Sequence, residues 1–247
     1  MTAIFVTATG TDIGKTFVTA GLVSALREQG RAVEVLKPVV TGFTRATVAQ
    51  SDPAVLLTAL GRPVTEEAVA EIAPWRFAAP LSPDMAASRE GRTLDFAALV
   101  AFCREAMSAR QDVLLIEGVG GVMVPLEDRR TVLDWMVALG VPVILVAGSY
   151  LGTISHTLTV LDVLARNALR VVAVVVSESE NSTVSLADTV ASIARFARPI
   201  EVLALPRLSA NMSGHAVFGE LAALSTRPPL LPPSPGRGGS ARSAEVG

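Results

Sequence analysis

The chain has 247 residues, half of them apolar, a single cysteine and a formal net charge of −2. A core of that size needs no disulfide or metal staple, and a near-neutral balance supplies no field for a nucleic-acid backbone or an anionic membrane. Aromatic residues make up 4%, so stacking platforms for bases are not expected, and one thiol fits a reducing cytoplasm.

The first predicted element is a strand, Ala3–Ala8, too short for a signal peptide and without a preceding basic residue. It feeds the turn Gly10-Thr11-Asp12-Ile13-Gly14-Lys15-Thr16, which opens a helix predicted over Lys15–Gln29. Strand, Gly-rich turn and helix start together make a cradle of inward-pointing N–H groups for phosphate oxygens, strengthened by the helix dipole. Lys15 is placed to reach the outer phosphates of a nucleoside triphosphate and Thr16 to bind Mg²⁺. The strict pattern has Gly where Thr9 stands.

A second strand, Val33–Lys37, ends in Lys37-Pro38-Val39-Val40-Thr41-Gly42. A lysine there points into the ligand edge of a parallel sheet; the plain alternative is a solvated surface lysine. Ser51-Asp52-Pro53 opens a helix over Pro53–Leu60, where Asp52 reads as an N-cap, as a carboxylate near Mg²⁺, or as both. Residues Gly61 to Arg92, with Pro63, Pro74, Pro80 and Pro83, read as a long functional loop with little regular structure.

Cys103 falls in a helix predicted over Asp95–Ala109 and reads as an inert core thiol. The third strand, Val113–Glu117, runs into Glu117-Gly118-Val119-Gly120-Gly121. A carboxylate leaving a buried strand at the sheet edge suits a metal ligand, and the glycines let the backbone approach a nucleotide. After a helix over Val132–Leu139 comes a charge-free stretch between Asp134 and Asp162, long enough to suggest a membrane span. Gly140, Pro142, Gly148 and Gly152 cut it, and its apolar centre reads as a strand, Val143–Ala147, buried on both faces. The following Gly148-Ser149-Tyr150-Leu151-Gly152-Thr153-Ile154-Ser155-His156 opens a helix over Ile154–Asn167 whose free N–H groups could hold a carboxylate. His156 reads as structural, since two histidines make a metal cluster implausible. Strands Val171–Val176 and Glu201–Leu205 flank a helix over Val184–Phe196.

The alternation predicts an α/β fold: a mostly parallel sheet of the P-loop NTPase type with helices on both faces and ligands at the carboxyl ends of the strands. Residues 1–226 are expected to form one catalytic domain, and the Pro-, Gly-, Ser- and Arg-rich residues 227–247 a disordered tail.

In this order the segments resemble dethiobiotin synthetase. The likeness rests on Gly10-Thr11 with Gly14-Lys15-Thr16, Lys37-Pro38-Val39 with Thr41-Gly42, Ser51-Asp52, and Phe77-Ala78-Ala79-Pro80-Leu81-Ser82-Pro83. It continues through Glu117-Gly118-Val119-Gly120-Gly121, Asp134-Trp135, Pro142 to Val146, Leu151 to Thr157 and Leu205-Pro206-Arg207-Leu208. The resemblance covers roughly residues 1 to 215 and implies a homodimeric, cytoplasmic, ATP- and Mg²⁺-dependent enzyme. Such an enzyme carboxylates 7,8-diaminopelargonic acid with CO₂ and closes the ureido ring through a carbamic-phosphoric anhydride. It implies Lys15 and Lys37 as catalytic residues, and Thr16, Asp52 and Glu117 around Mg²⁺. Asp12, Ile13, Gly14, Phe17, Gly118, Val119, Gly120, Ser177, Glu178, Pro206, Arg207 and Leu208 would complete the nucleotide site. Thr11, Lys37 and Thr41 would hold the diamine, and Leu151, Gly152 and Ser155 of a partner subunit its carboxylate.

The chain departs from that pattern at Ala8 for Gly, Val119 for Ala, Ser155 for Asn, and Ser177-Glu178 where an Asn-Asp pair often recognises adenine. Two other classes, an enzyme of the same fold and a nucleotide switch, fit the sequence less well. An amidating cobyrinate synthase carries an additional glutaminase domain for which this chain has no room. A partitioning or membrane-positioning ATPase carries a further lysine where Thr9-Gly10 stands. A nucleotide-binding protein without catalysis is the remaining reading.

Overall fold

The computed structural model describes residues 2–109, 111–208 and 214–227; of the expected tail only Arg227 falls among the described residues. In chain order the elements are β1 (Thr2–Ala8), α1 (Lys15–Glu28), β2 (Val33–Leu36), β3 (Val39–Thr41) and a 3₁₀ turn over Arg45–Gln50. Then come α2 (Asp52–Ala59), α3 (Glu66–Ile72), β4 (Trp75–Phe77), α4 (Pro83–Arg89), α5 (Phe96–Met107), β5 (Val113–Glu117), β6 (Pro125–Glu127) and β7 (Arg130–Thr131). The rest is α6 (Val132–Leu139), β8 (Val143–Gly148), α7 (Thr153–Arg166), β9 (Val171–Ser177), α8 (Leu186–Ala197), β10 (Glu201–Leu205) and α9 (Ala216–Thr226).

Six strands form one sheet in the order β10-β9-β8-β1-β5-β2, and every pairing in it is parallel. β1, β5 and β8 are mostly apolar and almost wholly buried, with no polar face to turn to water, so they take central places covered on both sides. Alternate residues of β8 serve different cores: Ile144 and Val146 join the larger one, while Leu145 and Ala147 pack with Leu161 of α7 and Ile193 of α8. Helices therefore cover both faces. Phe5 meets the edge of Trp135 at 4.8 Å, tying β1 to α6. No helix among the described residues is long and apolar enough to cross a membrane, and the charge-free stretch becomes the end of α6, β8 and the start of α7.

The segment from Gly61 to Arg92 corrects the expectation of an irregular loop. It holds α3, β4 and α4, and β4 pairs in parallel with β3 through Val39–Trp75, Val40–Arg76 and Thr41–Phe77. Its prolines mark boundaries: Pro83 occupies the first turn of α4, where a missing N–H costs nothing. This small ladder carries Thr41-Gly42 and the Pro80 turn beside the main sheet; a Cβ on Gly42 would stand 3.3 Å from Pro80.

A candidate phosphate-transfer site at the sheet edge

The turns after β1, β2, β5, β8, β9 and β10 all open at the carboxyl edge of the sheet. The phosphate loop between β1 and α1 needs left-handed backbone at two points, Asp12 (φ 56°) and Gly14 (φ 97°). Gly tolerates this freely; for Asp it is uncommon but less strained than for most residues. Gly121 supports the loop from below, where a Cβ would stand 3.3 Å from Thr9 O and 3.4 Å from Gly10 N.

Two clefts meet at this loop and share Asp12, Ile13 and Gly14. The first, about 390 Å³, is lined by Thr11, Lys15, Thr16, Lys37, Thr41, Asp52, Val119 and Gly120, with Val40 as a further wall. The second, about 330 Å³, is lined by Phe17, Ser177, Glu178, Pro206, Arg207 and Leu208, joined by Ser179 and Glu180. Val40, Ser179 and Glu180 escaped the sequence reading; Ser179 and Glu180 follow Ser177-Glu178 in the same turn, which is the one signal that could have found them. The loop thus stands between a cleft that holds Lys15 and Lys37 and one without a lysine, the division a nucleotide makes between its phosphates and its base.

The floor of the first cleft is an ion cluster. Lys37 Nζ donates to Glu117 Oε1 at 2.7 Å and to Gly118 O at 2.8 Å, and stands 3.1 Å from Asp52 Oδ2. Thr16 Oγ1 donates to the same Glu117 oxygen at 2.7 Å. Lys37 is 2% exposed and Glu117 fully buried, so neither is the solvated surface residue of the plain reading. Burial works against the Lys37 charge, but the Glu117 and Asp52 carboxylates outweigh it and hold its pKa above the ordinary value. Burial also opposes the Asp52 charge, and Lys37, through its charge and a hydrogen bond, keeps that carboxyl below its ordinary range.

Lys15 differs. Its Nζ folds back to Gly10 O at 3.2 Å. Burial, then the neighbouring Lys37 charge, lower its pKa to about 8 against the partial support of Glu117, Asp52 and Asp12. The loop therefore holds a cation short of negative charge, which phosphate would supply.

Three placements refine the sequence reading. Ser51, not Asp52, is the N-cap of α2; Asp52 sits one position inside and turns its carboxylate to Lys37. Glu117 and Gly118 lie behind the cleft rather than on its wall and act through Lys37 and Thr16. Leu151 (81% exposed), Gly152 and Ser155 line neither cleft of their own chain. His156 is exposed, its Nδ1 2.9 Å from Tyr150 Oη, and so is not part of a core. Cys103 is buried, which pushes its thiol up to about 12 and fits an inert residue.

Thr16, Asp52 and Glu117 also bring a hydroxyl and two carboxylates together, and Glu117 Oε2 is buried without a hydrogen-bond partner among the described residues. Such hard oxygens fit Mg²⁺.

Residues 2–212 match a family model described as an AAA domain. The chain is 49% identical over 212 residues to the ATP-dependent dethiobiotin synthetase BioD of Methylobacterium nodulans, covering 84% of this chain and 94% of that one. It is 47% identical over 196 residues to the protein of the same name from Acidiphilium cryptum, covering 79% and 88%. Among solved structures, the cell division ATPase MinD of Pyrococcus furiosus aligns with TM-score 0.53 at 18% identity over 91% of this chain and 98% of that one. A ParA from pNOB8 aligns with TM-score 0.55 at 9% identity, covering 91% and 97%. At such identities the likeness to the two structures shows the fold alone. The chain belongs to the dethiobiotin synthetase family.

Proposed function

We propose that this member of the dethiobiotin synthetase family closes the ureido ring of dethiobiotin from 7,8-diaminopelargonic acid, CO₂ and ATP, in the cytoplasm. The observation that carries the reading is the placement of Lys37, a buried cation fixed by Glu117, Gly118 and Asp52 on the floor of the cleft that the phosphate loop opens. A binding module has no need of a second, separately anchored cation beside Lys15; phosphoryl transfer to a carbamate does, because charge neutralisation and alignment supply most of the rate.

The loop N–H groups and Lys15 hold the triphosphate, with the base in the cleft of Ser177 to Glu180. Thr11 and Thr41 hydrogen-bond the diamine, one amine of which takes up CO₂ as a carbamate. The carbamate oxygen attacks the γ-phosphorus and ADP leaves. The second amine then attacks the carbamoyl carbon of the mixed anhydride, phosphate leaves and the ring closes. Lys37 faces the transferring phosphoryl group and the carbamate. Its Asp52 contact is the longest of its three and the one half open to solvent, so that is the contact a phosphoryl oxygen replaces. Thr16, Asp52 and Glu117 would hold Mg²⁺, which spreads the charge of the β- and γ-phosphates.

Leu151, Gly152 and Ser155 are exposed at the start of α7 and line neither cleft of their own chain, which supports a homodimer in which they reach the diamine carboxylate bound by a partner. Residues 1–226 are then one catalytic domain. The test is ATP turnover with and without 7,8-diaminopelargonic acid and ¹³C-bicarbonate, with mass analysis of the product. The expected result is hydrolysis that requires both and a product carrying one labelled carbonyl. Hydrolysis indifferent to the diamine and stimulated by a protein partner would favour the partitioning class instead. Sedimentation of the full chain tests the dimer.

A further inference from the structure

β8 and β9 are parallel neighbours, with Gly148 opposite Ser177. The turn that leads into α7 therefore emerges beside the turn that lines the base cleft. There the two are joined by a closed pair of hydrogen bonds. Ser149 N–H donates to Ser179 Oγ at 3.0 Å and Ser179 N–H donates to Ser149 Oγ at 2.9 Å. Ser182 Oγ donates to Ser149 O at 2.7 Å, so both backbone groups of Ser149 are held by the segment after β9. Ser149 is fully buried. Gly148 is needed for the approach, since a Cβ there would stand 2.7 Å from Ser179 Oγ. On the other side, Thr153 Oγ1 donates to Gly148 O at 2.8 Å, which fixes the first turn of α7 to the same strand end.

We propose that Ser149 and Ser179 are positioning residues that couple occupancy of the base cleft to the placement of the α7 start. The inference rests on the reading in which the 177–180 turn takes the base and Leu151 to Ser155 take the diamine carboxylate. Ser179 stands in the wall of the nucleotide cleft, yet its hydroxyl accepts the N–H of a residue two positions before Leu151. A base that orders the 177–180 turn orders Ser149 with it, because neither serine can shift without breaking a bond made by the other. In the proposed dimer the effect crosses to the neighbouring subunit's site. Coupling of this kind is reciprocal: the diamine must tighten nucleotide as much as nucleotide tightens the diamine.

Steady-state kinetics of Ser149→Ala, Ser179→Ala and the double variant, each checked for its folded spectrum, provide the test. Ser179→Ala is expected to raise KM for the diamine by about fivefold or more, although the diamine does not reach it. The double variant should be no worse than the worse single one, and Ser179→Thr should restore the parent values. The partly exposed Ser179 decides the matter alone if Ser149→Ala does not fold. An unchanged diamine KM in Ser179→Ala, or losses that multiply in the double variant, would overturn the coupling while leaving the synthetase reading standing. Parent enzyme whose turnover ignores the diamine would overturn both.

Discussion

Lys37 and Glu117, eighty residues apart in sequence, meet at 2.7 Å with neither side chain open to solvent. Two consequences separate function from support. In the proposed reaction, removing the cation strips the transferring phosphoryl group of a preorganised charge, which acts chiefly in the transition state. Lys37→Ala should therefore lower kcat by about a hundredfold or more while the Kd for ATP stays within about threefold. It also leaves Glu117 buried and unpaired, a loss of about 3–5 kcal/mol in stability. Thermal melting and single-turnover kinetics below the melting range distinguish the two. A variant that melts early yet turns over normally while folded would make Lys37 a purely structural residue.

The same cluster predicts the metal response. Asp52→Asn and Glu117→Gln keep shape but remove a hard anionic oxygen each. Both should shift the Mg²⁺ activation curve to higher concentration. Glu117→Gln should also lower stability, because it loosens Lys37 and Thr16 together, whereas the half-exposed Asp52 carries less of the fold. Superimposable Mg²⁺ titrations for parent and variants would confine the two carboxylates to holding Lys37.

Lys15 gives a proton signature. Its pKa of about 8 in the ligand-free protein lies below the ordinary 10.5 because burial and Lys37 disfavour its charge. Phosphate favours the charged form, so ATP binding should take up about half a proton at pH 8, more toward pH 9 and almost none near pH 6.5. Calorimetric titrations in buffers of different ionisation enthalpy measure this, and Lys15→Met should abolish it along with most of the phosphate affinity. Between about 8 and 10.5 the unfolded chain holds the proton that folded Lys15 has lost, so this group's contribution to stability rises with pH across that window.

Why some of this was legible in the sequence and some not has a physical basis. The four inner strands of the sheet show as short apolar runs because burial on both faces demands such a stretch, and the edge strands β2 and β10 show more faintly, with Glu34 and Glu201 exposed. The phosphate loop shows because its glycine and lysine are needed within one turn. The ladder of β3 with β4 does not show: each strand has three residues, too few for a period, and the pairing joins Val39 to Trp75 across a helix pair. The burial of Lys37 is hidden for a similar reason. A lysine after a strand is ordinarily solvated, and only the fold brings Glu117 under it. The Asp52 ambiguity dissolves in space, since Ser51 holds the N-cap position and the Asp52 carboxylate turns to Lys37.

The last prediction concerns the base. Ser177 ends β9 against the loop, its Oγ 3.1 Å from where a Cβ on Gly14 would stand. An Asn there could donate to and accept from the adenine edge with one planar group; a serine hydroxyl is shorter and offers one donor. Glu178 does not make up the difference, because its Oε2 accepts the Arg207 N–H and so secures the Pro206-Arg207-Leu208 wall. Strong discrimination requires a polar site that the wrong base leaves unmatched. With the base in this cleft, as proposed, adenine is matched only in part and most affinity falls to the phosphates, so kcat/KM for ATP should exceed that for GTP and CTP by about tenfold or less. Ser177→Asn should widen the preference for ATP. Glu178→Gln should weaken all three nucleotides alike, since it loosens the wall and not the reading of the base. A parent already selective by several hundredfold and indifferent to Ser177→Asn would place base reading in the backbone of residues 206–208 instead.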